Sequence, residues 1–248
     1  MSFGDTVQNE QQEKGGLRIT YGSDYVKLTN EHMTVIRVLD ETPKVVWKHY
    51  IPRGHFTNAN NGKGMSIICD RPGCVICEMN KGLDDDRKKM KASKRWIFNV
   101  LDRTPVIVCP NCGAEYYETK GGYPQTCTNR IDGGDCRTTL PEEPSPRNKI
   151  QILERGRTLV DQLVEYEDEF GSLDTYDIKL STKGTGTDTR TTCLPQPQSD
   201  LNLDEIVGEG WKLYDTEEII KPLPQEVVQA ILDGKSYYDA MKEAGAAN

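Results

Sequence analysis

The sequence predicts a mainly β protein with some α structure, built as a small mixed β barrel with insertions. Three observations lead to this prediction. Segments rich in β-branched residues recur from residue 24 to residue 195, one long stretch has helical periodicity, and two cysteine-rich segments interrupt the strands. With 248 residues, 35% of them hydrophobic, the chain is long enough for one good core or two small ones.

The predicted elements follow in a simple order. Residues 1–16 are rich in Gln, Glu and Gly and are expected to be flexible. The predicted strands, including the two of a final hairpin, lie within residues 24–43, 44–51, 65–69, 95–103, 149–156 and 175–195.

Two helical regions complete this prediction. Residues 157–171 place apolar side chains on one helical face and end on Gly171, a suitable C-cap. One or two short helices are predicted within residues 224–245, beyond a proline-containing linker.

Charge is distributed unevenly along the chain. The formal net charge is −8, but residues 44–103 carry thirteen Lys and Arg against six Asp and Glu. Residues 201–248 carry four against ten, so the chain has a basic middle and an acidic end. A basic segment of this kind is compatible with a nucleic-acid partner in spite of the overall negative charge.

The first cysteine cluster contains Cys69, Cys74 and Cys77. Three thiolates need a fourth ligand to complete a tetrahedral structural zinc site, and a histidine is a common choice. Both His49, in a predicted strand, and His55, in the loop after it, are candidates.

The second cluster contains Cys109, Cys112, Cys127 and Cys136, and it predicts a four-cysteine zinc ribbon. Eight residues separate the last two cysteines, which requires an extended loop between them. The surrounding segment has few apolar residues, so we expect the metal rather than a core to stabilise it. The remaining Cys193 has no partner in sequence and is expected to be a half-buried strand residue.

Catalysis is not expected. Catalytic zinc keeps an open position, usually among histidine or glutamate ligands, whereas these two ligand sets are dominated by thiolates. The segments "LDDDRKK" and "EYEDEF" are the acidic clusters, and both are typical of solvated faces rather than of a magnesium site. No long apolar run or signal peptide is evident, which predicts a cytoplasmic protein whose cysteines bind metal.

In their order, these motifs resemble the zinc-containing single-stranded-DNA-binding proteins of tailed bacteriophages, which are helix-destabilising proteins built on an OB fold. The resemblance covers roughly residues 24–195. It rests on "YVKLTNEHMTVIRVL", on "VWKHYI" followed by "SIICDRPGCVIC", on "KASKRWIFNVLD", and on the later "KIQILERGRTLVDQL" and "YDIKLSTKGTGTDTRTTCLP". The second of these looks like the family's site of one histidine and three cysteines, which favours His49 as the fourth ligand.

The resemblance implies an OB-like core over residues 17–200, with a zinc loop at residues 69–77. The ribbon at residues 104–147 is extra to the family pattern, and residues 201–248 form an acidic region with short helices. The implied function is binding of single-stranded DNA with little sequence specificity during phage DNA replication, recombination and repair, in the host cytoplasm. The acidic end is a candidate contact for replication or recombination proteins, and no membrane partner is expected.

Basic and aromatic residues on two predicted strands, with two arginines nearby, are the candidate DNA contacts, since an OB-type groove binds phosphates with Lys and Arg and stacks bases on aromatic rings. They are Arg37, Trp47, Lys48, Tyr50, Lys94, Arg95, Trp96, Phe98 and Arg103. Strand alternation divides them between two faces, and Trp96 and Phe98 are equally compatible with a core position. The alternative function is a zinc-ribbon adaptor that acts mainly through protein contacts in a transcription or replication complex.

Overall fold

The computed structural model describes residues 24–52, 64–84, 89–131, 134–184 and 189–245. It is mainly β, with 34% strand against 21% helix, and its sheets are antiparallel, which confirms the predicted class. The described strands do not form a closed barrel, so the OB-type barrel stays a prediction.

The described strands number twelve. They are β1 (Thr34–Val38), β2 (Lys44–Ile51), β3 (Met65–Ile68), β4 (Ser93–Asp102), β5 (Pro105–Val108), β6 (Glu115–Tyr117), β7 (Arg130–Ile131), β8 (Gly134–Asp135), β9 (Ser145–Pro146), β10 (Lys149–Arg155), β11 (Tyr176–Lys183) and β12 (Arg190–Gln198).

Six helices lie in the described ranges. They are α1 (Val75–Met79), α2 (Arg157–Phe170), α3 (Leu203–Val207), α4 (Thr216–Ile219), α5 (Gln225–Leu232) and α6 (Tyr237–Glu243). None of these helices has the length and apolar character needed to cross a membrane.

The described chain divides into two compact units. Unit 1 contains residues 45–95 and 215–245, and unit 2 contains residues 24–44 and 96–214. Of the residues predicted to form an acidic C-terminal region, 201–214 belong to unit 2 and 215–245 to unit 1. The C-terminal helices belong to unit 1 because their apolar faces are buried there.

Unit 2 is built on antiparallel strands in the order β12, β11, β1, β4 and β10. Ile36 of β1 pairs with Ile178 of β11, and Phe98 of β4 pairs with Leu153 of β10. All four side chains are buried in one core together with Leu163 of α2. Leu163 lies on the apolar face that was predicted for this helix.

Cys193 of β12 belongs to the same core and is only 8% exposed. Its carbonyl oxygen accepts a hydrogen bond from the hydroxyl of Tyr166, on α2, at 3.0 Å. The thiol is more buried than expected, and this burial raises its pKa to about 12.

The predicted insertion in unit 2 forms a small subdomain, which we call the ribbon (residues 105–146). Strand β5 pairs with β6 and β9, and β7 and β8 form a two-stranded hairpin. Its small core consists of Ile107 and Leu140 together with the buried Cys109 and Cys127.

Unit 1 has its own core around the paired strands β2 and β3. Helix α5 buries Val228 and Ile231 among the same residues as Ile51, Ile67 and Ile76. The side-chain oxygen of Gln225, the first residue of α5, accepts a hydrogen bond from the backbone N–H of Val75 at 2.9 Å. The C-terminal helices are therefore part of the core that supports the first cysteine cluster.

Candidate metal centres and nucleic-acid interface

The first candidate metal centre lies in unit 1 and consists of His49, Cys69, Cys74 and Cys77. Their ligand atoms all lie within 4.8 Å of one another. The Nε2 atom of His49 is 3.3 Å from the sulfur of Cys74 and 3.5 Å from that of Cys77. An ion with metal–sulfur bonds of about 2.3 Å has sulfur–sulfur edges of about 3.8 Å, so the group fits a tetrahedrally bound ion.

His49 is held in the orientation that this site requires. The ring is buried on β2, and its Nδ1 atom lies 2.6 Å from the carbonyl oxygen of Met90. Only a protonated Nδ1 can donate to that oxygen, so Nε2 presents its lone pair to the thiols. Burial lowers the pKa of His49, which favours the neutral, metal-binding form. The other candidate, His55, lies outside the described residues.

The chain segment that carries the three cysteines is tied to β2. The backbone N–H of Cys69 donates to the carbonyl oxygen of Trp47 at 2.8 Å. Cys74 is the N-cap residue of α1, and Cys77 lies within this short helix. Because Cys74 and Cys77 are about one helical turn apart, their thiols lie on the same side of α1. Cys69, at the end of β3, belongs to the same group of thiols.

Arg71 lies on the outside of this centre. Its guanidinium carbon is 4.4 Å from the centroid of the Trp47 ring, and the same group interacts with the thiols of Cys77 and Cys69. Three thiolates and one neutral histidine around a divalent ion leave a net charge of −1. The arginine offsets this charge while it forms a cation–π contact at the protein surface.

The second candidate metal centre is the four-cysteine group of the ribbon, whose sulfur atoms also lie within 4.8 Å of one another. The sulfurs of Cys109 and Cys136 are 3.7 Å apart, and those of Cys112 and Cys127 are 3.5 Å apart. The two predicted ligand sets are therefore both brought together, and each could hold a metal ion.

Local backbone structure explains the spacing in the ribbon. Gly113, at φ +70°, closes the turn between the first two cysteines by donating its N–H to the carbonyl oxygen of Cys109 at 2.9 Å. The unusually long interval between Cys127 and Cys136 is taken up by the β7–β8 hairpin. A backbone hydrogen bond from Cys136 to Asn129 brings the two ends of this interval together.

Polar side chains that no sequence motif predicted surround the ribbon thiols. The Tyr116 hydroxyl donates to the sulfur of Cys127 at 3.1 Å, and the Asn111 amide donates to that of Cys136 at 3.4 Å. Hydrogen bonds from Thr138 and then Asn111 lower the pKa of Cys136 to about 6. Such bonds stabilise thiolates and orient metal ligands. The one indication of these polar contacts in the sequence was the position of Asn111 between Cys109 and Cys112.

The candidate DNA contacts of unit 1 differ in accessibility. Tyr50 is 58% exposed and Trp47 is half-buried beneath Arg71. At the start of β4, Lys94 is exposed and Arg95 is half-buried. Lys48 is only 3% exposed, which corrects the expectation that it contacts DNA.

The candidate contacts of unit 2 are mostly structural. Arg37 is 2% exposed, and its Nε atom donates to one carboxylate oxygen of Asp177 at 2.9 Å. Arg103 donates to the other oxygen of the same carboxylate at 2.9 Å. Phe98 is buried in the core, and the half-buried Trp96 packs against it. The burial of Arg37 and Phe98 corrects the expectation that they contact DNA. The side chain of Arg103 is held in its ion pair with Asp177.

No protein-family model matches the chain, and no curated protein is significantly similar to it.

Proposed function

We propose that this protein binds single-stranded DNA with little sequence specificity, through the surface of unit 1, during phage DNA replication, recombination and repair. One observation carries the proposal: an exposed arginine, Arg71, stacks on Trp47, whose carbonyl oxygen accepts a hydrogen bond from Cys69 of the first candidate metal centre. The antiparallel sheet of unit 2, packed against α2, supports an OB-type core as part of this proposal.

The chemistry of this surface suits a single strand. Base stacking on aromatic side chains contributes about 1–3 kcal/mol per base, and cationic groups bind the phosphates between stacked bases. Tyr50 offers an exposed ring, and Arg71 and Lys94 are exposed cationic side chains in the same unit, next to the half-buried Arg95. Binding of this kind depends little on base sequence, because every base has an aromatic face and every nucleotide has a phosphate.

We propose zinc as the ion of both centres. Thiolate and imidazole donors favour zinc over the hard cations magnesium and calcium. Each group supplies four protein ligands and leaves no open position, which is the arrangement of a structural site. The first centre then holds the loop of Arg71 against β2, and the second holds the ribbon together.

The experiment is a titration of a labelled thymine oligonucleotide with the full zinc-loaded chain at low and high salt. We expect affinity to fall as salt rises, and Arg71→Gln to weaken binding at least fivefold and reduce the salt slope by about one. The matched control is Arg157→Gln, which removes an exposed arginine of α2 and should leave affinity within about twofold.

Three outcomes would contradict the proposal. They are absent binding, binding that does not depend on salt, and equal losses in the Arg71 and Arg157 variants. A chain that bound no single strand would favour the alternative of a zinc-ribbon adaptor acting through protein contacts. Zinc content is measured in each variant, so that loss of the metal is distinguished from loss of a DNA contact. A uridine RNA oligonucleotide titrated in parallel measures the preference between DNA and RNA.

A further inference from the structure

A groove of about 610 Å³ opens on the surface of the ribbon. Its walls come from β6, from the turn that follows it, and from the segment that precedes β1. All of these residues belong to unit 2, so the groove is complete within one compact unit.

Aromatic rings form the walls of this groove. The His32 ring stacks on Tyr117, with centroids 4.2 Å apart and planes inclined by 14°. Tyr116 and Tyr123 line the same space, and their hydroxyls are engaged by the sulfur of Cys127 and the carbonyl oxygen of Pro105. These hydroxyl contacts fix the rings, so the groove offers rigid aromatic faces to a ligand.

The charge of the groove is negative. Glu31, Glu115 and Glu118 line it, and none of the described lysines or arginines does. Glu115 forms an ion pair with Arg147, whose Nε atom lies 2.8 Å from its carboxylate and whose guanidinium also pairs with Asp102. Among the described residues, Glu31 and Glu118 form no ion pair, and both are exposed. Two uncompensated carboxylates beside stacked rings repel phosphate and attract a cation.

We propose that this groove binds an arginine-bearing segment of a protein partner. A guanidinium is planar, so it can stack on the ring of Tyr117 or Tyr123 while its N–H groups donate to Glu31 or Glu118. A lysine ammonium gains the charge attraction but not the planar stacking. The ribbon is then a protein-docking module. This inference does not depend on whether unit 1 binds DNA.

The experiment titrates the full zinc-loaded chain against a fluorescein-labelled peptide of alternating glycine and arginine, with a glycine–lysine peptide of equal charge as the comparison. We expect the arginine peptide to bind at least threefold more tightly, and the double variant Glu31→Gln/Glu118→Gln to weaken its binding about tenfold. The matched control is Glu142→Gln/Glu143→Gln, which removes two exposed carboxylates outside the groove and should change affinity by less than about twofold.

A second variant separates stacking from charge. Tyr117→Leu keeps every carboxylate and should reduce the preference for arginine over lysine, with the zinc content of the ribbon measured alongside. In NMR spectra, the ring signals of His32 and Tyr117 should shift when the arginine peptide is added. Absence of peptide binding, equal affinity for the two peptides, or equal losses in the two double variants would overturn the inference. So would weaker binding of the thymine oligonucleotide by the groove variant, because the groove would then lie on the DNA path.

Discussion

The Nδ1 atom of His49 lies 2.6 Å from the carbonyl oxygen of Met90, and this contact determines which ring nitrogen faces the cysteines. A backbone carbonyl can only accept, so the proton resides on Nδ1 and Nε2 is available as a ligand. The fourth ligand of the first centre is therefore specified by a residue 41 positions away in the sequence.

Replacement of His49 should empty one of the two centres. In His49→Ala, three thiolates remain without a fourth ligand, so we expect bound zinc to fall from about two ions per chain to about one after dialysis against a weak chelator. Elemental analysis provides the measurement. The control is His55→Ala, which should retain both ions. Loss of an ion from His55→Ala, with both retained in His49→Ala, would reverse the assignment.

Removal of the Tyr116 hydroxyl should weaken metal binding by the ribbon. In Tyr116→Phe, the Cys127 sulfur loses its donor at 3.1 Å, and the N–H groups of Thr128 and Asn129 lose their acceptor. Loss of such a partner typically reduces metal affinity about 10- to 100-fold. Competition with a chromophoric chelator measures the change. Tyr117→Phe is the control, because its hydroxyl donates to Glu115, at 3.5 Å, and to no cysteine sulfur among the described residues. Equal effects in both variants would contradict the assigned role of Tyr116.

Gly64 should not tolerate a side chain. A Cβ atom at this position would overlap the Tyr50 hydroxyl and lie 2.9 Å from the carbonyl oxygen of Ile51. We expect Gly64→Ala to reduce the free energy of unfolding by about 1–3 kcal/mol, measured by urea denaturation. Gly73→Ala in the same unit meets no atom closer than 3.9 Å and serves as the control. Addition of Tyr50→Ala should recover part of the loss.

Substitution of Arg37 should affect stability rather than DNA affinity. Arg37→Met leaves the Asp177 carboxylate with Arg103 alone and the carbonyl oxygen of Ser199 without its donor at 2.6 Å. Breaking a buried ion pair costs about 3–5 kcal/mol, to be measured as the free energy of unfolding. The exposed pair of Arg157 should contribute less than about 1 kcal/mol, so Arg157→Met is the comparison. A large loss of DNA affinity in a folded Arg37→Met protein would restore Arg37 to the candidate interface.

The metal ligands were the most predictable part of the molecule. Cysteine spacing constrains the backbone directly, so the seven cysteines of both sets could be predicted from the sequence. The choice of His49 over His55 depended on the family resemblance. The long interval between Cys127 and Cys136 remained unexplained, because a two-residue pairing such as Arg130–Ile131 with Gly134–Asp135 is too short to recognise in sequence.

The candidate DNA contacts were less predictable for a physical reason. Alternation along β2 separates its residues into two faces but does not say which face meets a core. The burial of Arg37 depends on Asp177, which is 140 residues away, and no local pattern indicates that pair. Short helices within residues 224–245 were predicted, but the core partners of α5, Ile51 and Ile67, could not be, because they lie far earlier in the chain.

The composition of unit 1 from residues 45–95 and 215–245 has a consequence for synthesis on the ribosome. The first metal-binding loop is complete when residue 95 has been translated, whereas α5, which covers Ile51, Ile67 and Ile76, emerges only after residues 96–214. During that interval an ion can order the loop before its hydrophobic cover exists. A chain that ended before residue 225 would keep all eight metal ligands and would leave this apolar face open to other nascent chains.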